Sequence, residues 1–251
     1  MTEISTSYST QTASPVSSLP PCARIIFKLS GEWLKSPSGH SICIERLEPI
    51  VRSLKELDNV HWAIVLGGGN IWRRRDTDHP AMLSMADEIG MMGTHINGLA
   101  LASVLTHHGV DSALFTARPV DGIGQSFSRQ RVLSAWKQKQ IVILTGGLGH
   151  GGVSTDTTAV IRACELDCDI VLKGTKVDGV YTSDPVLNPD AQFLPHLTYS
   201  YALEHRLGFM DESALVVARQ NNLRTTIISL KEPNALNLWA SGNLRSSCVT
   251  A

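Results

Sequence analysis

The sequence predicts an α/β fold: a three-layer αβα sandwich in which helices cover both faces of a mainly parallel central sheet. Apolar runs of strand length alternate along the chain with segments whose apolar residues recur at helical spacing. The runs are apolar throughout, which is typical of parallel strands that are buried on both faces. Glycine-rich segments follow several runs directly, as expected where a strand turns into a helix.

Six strands and six helices are predicted after residue 23. The predicted strands are 24–29, 60–66, 112–116, 140–145, 169–173 and 225–230. The predicted helices are 44–57, 82–107, 127–139, 155–167, 198–206 and 211–221. Pro49 falls within the first of these helices, so it must lie in the first turn or kink the helix.

The chain divides into a short tail and one domain. Residues 1–22 contain ten Ser or Thr, three Pro and one charged residue, Glu3. Such a segment buries too little apolar surface to offset the entropy lost on ordering, so we predict a disordered tail. Residues 23–251 show no internal repeat or long linker, and we assign them to a single domain.

Composition limits the classes of partner. The formal net charge is −1 with the basic residues scattered, which argues against nucleic acid as a main partner. Residues 89–110 contain no Asp, Glu, Lys or Arg, but His95 and Asn97 would be costly in lipid, so we predict a buried helix and no membrane association. The five cysteines form no CxxC pair, which favours a reducing cytoplasm over a disulfide or zinc framework.

Residues suited to binding phosphate follow the predicted strands. Three glycine clusters, at 31, 67–69 and 146–152, stand at or just beyond strand ends, where ligands bind in open parallel sheets. Glycines there let backbone N–H groups approach anions closely, although tight strand-to-helix turns would also use them. We favour the binding of more than one phosphate because one cluster would suffice for a turn.

Charged residues accompany these clusters. Lys28 lies near the end of the first predicted strand, and Arg73 lies where a guanidinium can clamp a phosphate. We interpret Arg74 and Arg75 as solvated charges. Thr155 is predicted as the N-cap of a helix with Asp156 in its first turn, close enough to orient Lys28 or the metal carried by ATP.

The chain does not match two common nucleotide-binding motifs. The spacing from Gly147 to Gly152 resembles both a dinucleotide fingerprint and a P-loop. Asp169 begins its strand, whereas the ribose-binding acid of a Rossmann fold ends one. Val153 stands where a P-loop requires lysine.

Five motifs in order resemble the bacterial uridylate (UMP) kinases of the amino acid kinase family. They are Lys28-Leu29-Ser30-Gly31-Glu32, Gly67-Gly68-Gly69-Asn70-Ile71-Trp72-Arg73, Asn97-Gly98-Leu99-Ala100, Ser154-Thr155-Asp156, and the run from Lys173 to Tyr181. The likeness extends from about residue 24 to about 230. It implies the amino acid kinase fold and transfer of the ATP γ-phosphoryl group to UMP.

The resemblance also implies roles for individual residues. The residues implied to bind ATP are Lys28, Leu29, Ser30, Gly31, Gly69, Arg73, Thr175, Tyr181 and Asp184. Those implied to bind UMP are Gly68, Asp87, Leu148, Gly149, His150, Gly151, Gly152, Val153, Ser154 and Thr155. The catalytic set is Lys28, Arg73, Asp156 and Asp211. Mg²⁺ is expected to arrive with ATP, without a metal site formed by the protein alone, and a homohexamer activated by GTP and inhibited by UTP is implied.

The chain departs from this family at two places in the site. The family usually has Asn-Pro-Phe-Phe where this chain has His150-Gly151-Gly152-Val153, and it tends to have glycine where this chain has Arg74. The lost aromatic contacts put the identity of the acceptor in question, and two alternatives stay open. One is a kinase of the same fold that acts on a carboxylate or carbamate, and the other is a nucleotide-binding regulator without catalysis.

Overall fold

The computed structural model describes residues 19–74, 78–83 and 85–251. Within these residues the strands are β1 Arg24–Leu29, β2 His61–Leu66, β3 Ser112–Thr116, β4 Gln125–Ser126, β5 Ile141–Thr145, β6 Ile170–Thr175, β7 Val180–Tyr181, β8 Phe193–Leu194, β9 His196–Thr198, β10 Arg224–Ser229 and β11 Ser246–Thr250. The helices are α1 Gly31–Leu34, α2 Ile44–Glu56, α3 Pro80–Leu83, α4 Ala86–His107, α5 Arg129–Lys137, α6 Thr155–Glu165, α7 Tyr199–Glu204, α8 Glu212–Gln220 and α9 Ala235–Ala240.

The main sheet of the described chain has the strand order β4-β3-β5-β2-β1-β6-β10-β11-β9. All its neighbouring strands are parallel except β10 and β11, which are antiparallel. β7 and β8 form a separate antiparallel hairpin. Strand β1 therefore lies near the centre of the sheet between β2 and β6, so the residues that follow it are surrounded by the ends of other strands.

Alternating residues of the central strands face two different cores. Ile26 of β1 and Val171 of β6 belong to the core beneath α5, α6, α7 and α8. Ile25 and Phe27 belong to the opposite core, beneath α2, α4 and α9. The predicted three-layer sandwich is thus confirmed, because each central strand is apolar on both sides and needs a helical layer on each.

The six predicted strands agree with observed strands to within two residues at either end. No prediction covers the helices α1 and α9 or the strands β4, β7, β8, β9 and β11, and the predicted helix 82–107 overlaps two helices, α3 and α4. β11 contains Ser246, Ser247 and Thr250 and has no continuous apolar run, and its position follows from pairing with β10. Pro49 lies inside α2, beyond its first turn.

Helix α4 is buried on one face and exposed on the other. Nine of its residues are buried, among them His95 and Asn97, while Met92, Ile96 and Leu99 are exposed. The prediction of a buried helix is therefore correct for one face only, since the sheet covers a single side. By length and composition α4 would pass as a membrane span, but it packs on β2, β3 and β5 as a core helix does.

Most of the predicted tail lies outside the described residues. Its last residues are described and contact the domain: Leu19 packs against the core beneath α2, and the Cys22 N–H donates to the carbonyl of Asn59 at 3.0 Å. Residues 19–22 are thus attached to the domain in the structure.

Candidate functional site

Two lysines and one aspartate meet at the carboxyl end of the central strands. Lys28 of β1 and Lys173 of β6 are register partners, and both face the layer that contains α6. Asp156, in the first turn of α6, lies between them. Its Oδ1 is 2.8 Å from Lys28 Nζ, and its Oδ2 accepts a hydrogen bond of 2.6 Å from Lys173 Nζ. Lys173 also donates to the carbonyl of Phe209 at 2.5 Å.

This cluster carries one net positive charge in a buried setting. Lys28 and Lys173 are 7% and 9% exposed, so the charges are poorly screened by water. Burial alone would raise the pKa of Asp156, but the two lysines outweigh it and hold that pKa below its ordinary value. Burial lowers the pKa of Lys173, an effect that Asp156 opposes and Lys28 reinforces. The ionised carboxylate therefore keeps two cations close together.

Asp156 is held in place by capping interactions. Ser154, and not Thr155 as predicted from the sequence, is the N-cap of α6: its backbone is extended and its hydroxyl accepts from the N–H groups of Asp156 and Thr157 at 3.1 Å each. Asp211, the N-cap of α8, accepts hydrogen bonds from the hydroxyls of Ser154 and Thr157. Asp211 thus links the start of α6 to the start of α8.

The glycines after β1 and β2 allow two loops to touch through their backbones. A Cβ on Gly31 would lie 2.6 Å from the Gly67 carbonyl oxygen and 2.8 Å from the Gly69 nitrogen. A Cβ on Gly68 would lie 2.4 Å from the carbonyl oxygen of Gly90 in α4. Close packing therefore explains part of this glycine pattern, in addition to any anion that the loops bind. Asn70 and Asn97 exchange side-chain hydrogen bonds of 2.9 and 2.7 Å and fix the second loop to α4.

A cavity of about 350 Å³ opens beside the cluster and contains five of the nine residues implied to bind ATP. Its lining comprises Lys28, Ser30, Gly31, Glu32, Gly67, Gly68, Gly69, Arg73, Arg74 and Thr155. Arg73 is held within it, since Nε donates to the Gly69 carbonyl at 2.7 Å and the guanidinium pairs with Glu32 at 2.7 Å. We call this space the donor cavity.

A second cavity, of about 180 Å³, adjoins the first and is called the acceptor cavity here. It contains most residues expected at UMP, namely Gly68, Asp87, His150, Gly151, Gly152, Val153, Ser154 and Thr155. Oδ2 of Asp87 accepts from the Gly152 N–H at 2.7 Å and lies 3.5 Å from Arg74. A Cβ on Gly151 would lie 2.8 Å from the same oxygen, so the loop approaches Asp87 closely only because residue 151 is glycine.

The remaining expected site residues lie outside these cavities. The Leu29 side chain is fully buried in the core. Thr175 bonds to the backbone of Val177. The Tyr181 hydroxyl donates to Asp178, and Asp184 accepts from the N–H of Val186. Leu148 and Gly149 do not line the acceptor cavity either, and Gly149 approaches the side chain of Arg118.

Two functional candidates were missed by reasoning from the sequence. The sequence places Lys173 only at the start of a motif, although a lysine near the end of an apolar strand is a signal that Lys28 shares. The prediction that Arg74 is a solvated charge is incomplete, because Arg74 lines both cavities and reaches Asp87. Arg75 lies outside the described residues.

Comparison with known proteins agrees with this geometry. The model of the amino acid kinase family matches residues 23–229. A uridylate kinase of Yersinia enterocolitica is 36% identical over 230 residues, covering 90% of this chain and 93% of its own. A uridylate kinase of Yersinia pestis is 37% identical over 229 residues, covering 90% and 95%.

Solved structures show the same likeness. The UMP kinase of Ureaplasma parvum superposes with a TM-score of 0.85 at 34% identity, covering 92% of this chain and 99% of its own. The UMP kinase of Bacillus anthracis gives 0.85 at 33% identity, covering 92% and 97%. The family model, the relatives and the solved structures agree, and the chain belongs to the amino acid kinase family.

Proposed function

We propose that this chain is a UMP kinase, which transfers the γ-phosphoryl group of ATP to UMP and releases ADP and UDP in pyrimidine nucleotide synthesis. The observation that carries the proposal is the pair of adjoining cavities, which share Gly68, Gly69, Arg74 and Thr155. Lys28 lines the donor cavity beside this junction. Phosphoryl transfer requires two anions to meet in line, and two connected sites beside buried cations suit that requirement. The named relatives support the same substrate.

The donor cavity would hold the ATP phosphates. Lys28, Ser30, Gly31, Gly69 and Arg73 line it, and their cationic and N–H groups would bind phosphate oxygens. Thr175, Tyr181 and Asp184, beyond the cluster along β6 and the hairpin, would hold the adenosine end. ATP binding would have to draw these side chains out of their present local hydrogen bonds.

Mg²⁺ fits this site as a companion of ATP. Asp156 uses both carboxylate oxygens on lysines, and Glu32 pairs with Arg73. The described residues include no group of three His, Cys, Asp or Glu side chains placed to hold a metal. The nucleotide phosphates would therefore supply most metal ligands, and the bound ion would neutralise charge on the transferred group.

The lysine cluster would stabilise the transition state. The transferred phosphoryl group carries its charge on peripheral oxygens, and fixed cations in a poorly solvated site stabilise that charge without reorganising. Lys28 and Lys173 are fixed in this way by Asp156. No general base is needed, because the phosphate of the acceptor is already an anion.

The alternatives are less well supported. A carboxylate or carbamate acceptor is not favoured, since the relatives whose alignments cover 90% of this chain are named uridylate kinases. A regulator without catalysis is not favoured either, because the ion pairs around Asp156 are intact.

We also propose a cytoplasmic homohexamer, with GTP and UTP as effectors. The exposed apolar side chains of α4, Met92, Ile96 and Leu99, lie on one face at helical spacing and suit contact with a second copy. All five cysteines are free, which fits a reducing compartment. The effectors rest on the resemblance alone.

The acceptor is tested by following ADP release from Mg-ATP with UMP, CMP, aspartate, N-acetylglutamate and carbamate. We expect UMP to support release well above the others. Omission of each acceptor gives the background ATP hydrolysis. Turnover of an amino acid or carbamate without turnover of UMP would contradict the proposal. ATP binding without ADP release for any acceptor would favour a regulator that lacks catalysis.

Gly151→Ala tests the loop at Asp87. The added Cβ would lie 2.8 Å from Asp87 Oδ2, so the carboxylate must move away from the Gly152 N–H and from bound UMP. We expect KM for UMP to rise about tenfold, which corresponds to ~1.4 kcal/mol, with kcat and KM for ATP little changed. Gly208→Ala is the control, since nothing lies within 4 Å of a Cβ there. Unchanged KM in the Gly151 variant would show that Asp87 does not contact the acceptor.

A further inference from the structure

Arg74 lies at the junction of the two cavities. It is one of the residues that line both the donor and the acceptor cavity. It follows Arg73 directly, but the two side chains point to different partners. Arg73 is bound to Gly69 and Glu32, and Arg74 extends to Asp87. The two consecutive arginines thus extend to different sides of the junction, Arg73 towards the donor cavity and Arg74 towards the acceptor cavity.

Arg73 lines the donor cavity but not the acceptor cavity. Among the described residues that line this cavity, the charged side chains are Arg74 and Asp87, with His150 as a further titratable group. A nucleoside monophosphate carries close to two negative charges on its phosphate near neutral pH. Asp87 alone would repel this phosphate, although it suits the hydroxyls of a ribose. Arg74 is the described lining residue that can neutralise the acceptor phosphate.

The present contact of Arg74 is weak enough to be exchanged. Its guanidinium is 3.5 Å from Asp87 Oδ2, and its side chain is 59% exposed. Exposed ion pairs of this kind contribute little. Asp87 keeps the shorter hydrogen bond of 2.7 Å from the Gly152 N–H when Arg74 moves. A phosphate offers a guanidinium two parallel N–H···O bonds in place of one long contact.

We propose that Arg74 is the acceptor-side phosphate clamp of this enzyme. On binding of the nucleoside monophosphate the guanidinium leaves Asp87 and donates to the acceptor phosphate, and Asp87 is left to accept the ribose hydroxyls. The clamp sets specificity for an acceptor that carries a phosphate. The inference rests on the proposed UMP kinase activity and adds a residue to its acceptor site.

The test uses full-length Arg74→Ala and Arg74→Lys, with Arg52→Ala as a matched control because Arg52 is exposed on α2 and lines neither cavity. Steady-state kinetics are measured with UMP and with 2′-deoxy-UMP, which lacks one ribose hydroxyl. We expect Arg74→Ala to raise KM about tenfold or more for both acceptors, since a charge-assisted bidentate contact is lost. KM for ATP and Tm should match the control, and Arg74→Lys should recover part of the loss.

The ratio of kcat/KM for UMP to kcat/KM for 2′-deoxy-UMP distinguishes two roles of Arg74. In one role Arg74 binds the acceptor phosphate, and in the other it only orients Asp87. A clamp on phosphate lowers both values equally and preserves the ratio. A loss confined to UMP would show that Arg74 acts through Asp87 and would overturn the proposal. Unchanged KM values would overturn it as well. If the wild-type protein turned over neither acceptor, the proposed UMP kinase activity itself would fail, so the two failures are distinguishable.

Discussion

Lys28→Ala lowers kcat for UMP phosphorylation by about a hundredfold or more, because a charge contact made mainly in the transition state contributes ~3 kcal/mol. The Lys28 ammonium is buried beside the donor cavity, 2.8 Å from Asp156. Its removal leaves Lys173 and Asp156 as a neutral pair, so the fold should persist. The measurement is steady-state ADP release at saturating UMP, together with thermal unfolding.

Lys137→Ala provides the control, since Lys137 is exposed on α5. It should leave both kcat and Tm at wild-type values. If Lys28→Ala also retained its kcat, Lys28 would be a structural partner of Asp156 and the transition-state charge would have to come from Lys173 and Arg73. A fall in Tm without a fall in kcat would give the same conclusion.

Asp156→Asn should have the largest effect on stability. It leaves Lys28 and Lys173 buried without a counter-charge, and the loss of one partner from a buried ion pair costs about 3 kcal/mol or more of unfolding free energy. Activity should fall as well, because the carboxylate that fixes both lysines is gone. Denaturant titration measures the stability, and Asp121→Asn is the control because Asp121 is exposed.

The pH dependence of this variant follows from Lys173. Burial already lowers the pKa of Lys173, and Asp156 opposes that effect, so removal of Asp156 lowers it further. A lysine whose folded pKa lies below its unfolded pKa destabilises the fold while it is protonated. The penalty is therefore relieved as pH rises through the folded pKa towards the unfolded value of about 10.4.

Asp156→Asn should accordingly gain stability relative to wild type as pH rises towards the unfolded pKa of lysine, about 10.4. In the wild-type protein the pKa of Asp156 is lower in the folded state than in the unfolded state. The ionised Asp156 therefore stabilises the fold above its unfolded pKa, and this stabilisation is lost as pH falls through its folded pKa. If the loss of unfolding free energy in Asp156→Asn stayed constant as pH rose, the assignment of the unpaired buried charge to Lys173 would be contradicted.

The sequence by itself determined the layers and much of the site. β1 and β3 have the predicted bounds, because buried parallel strands are continuous apolar runs and need no knowledge of their neighbours. Lys28 and Arg73, predicted beside the glycine clusters that follow β1 and β2, line the donor cavity, and Asp87, implied by the family resemblance, lines the acceptor cavity. Residues that directly follow a strand in a parallel sheet lie at one edge, so local order along the chain predicts proximity in space.

The tertiary structure decided what depends on pairs of residues far apart in sequence. Lys28 meets Lys173 through strand register, and Arg74 meets Asp87 across the junction of two cavities. Gly151 is required by the close approach of the loop 148–155 to Asp87, a reason for glycine that the sequence does not show. The spacing of apolar residues and the residues of turns predict structure over a few residues of the chain. These contacts instead depend on strand register and on packing between distant elements, which no local pattern encodes.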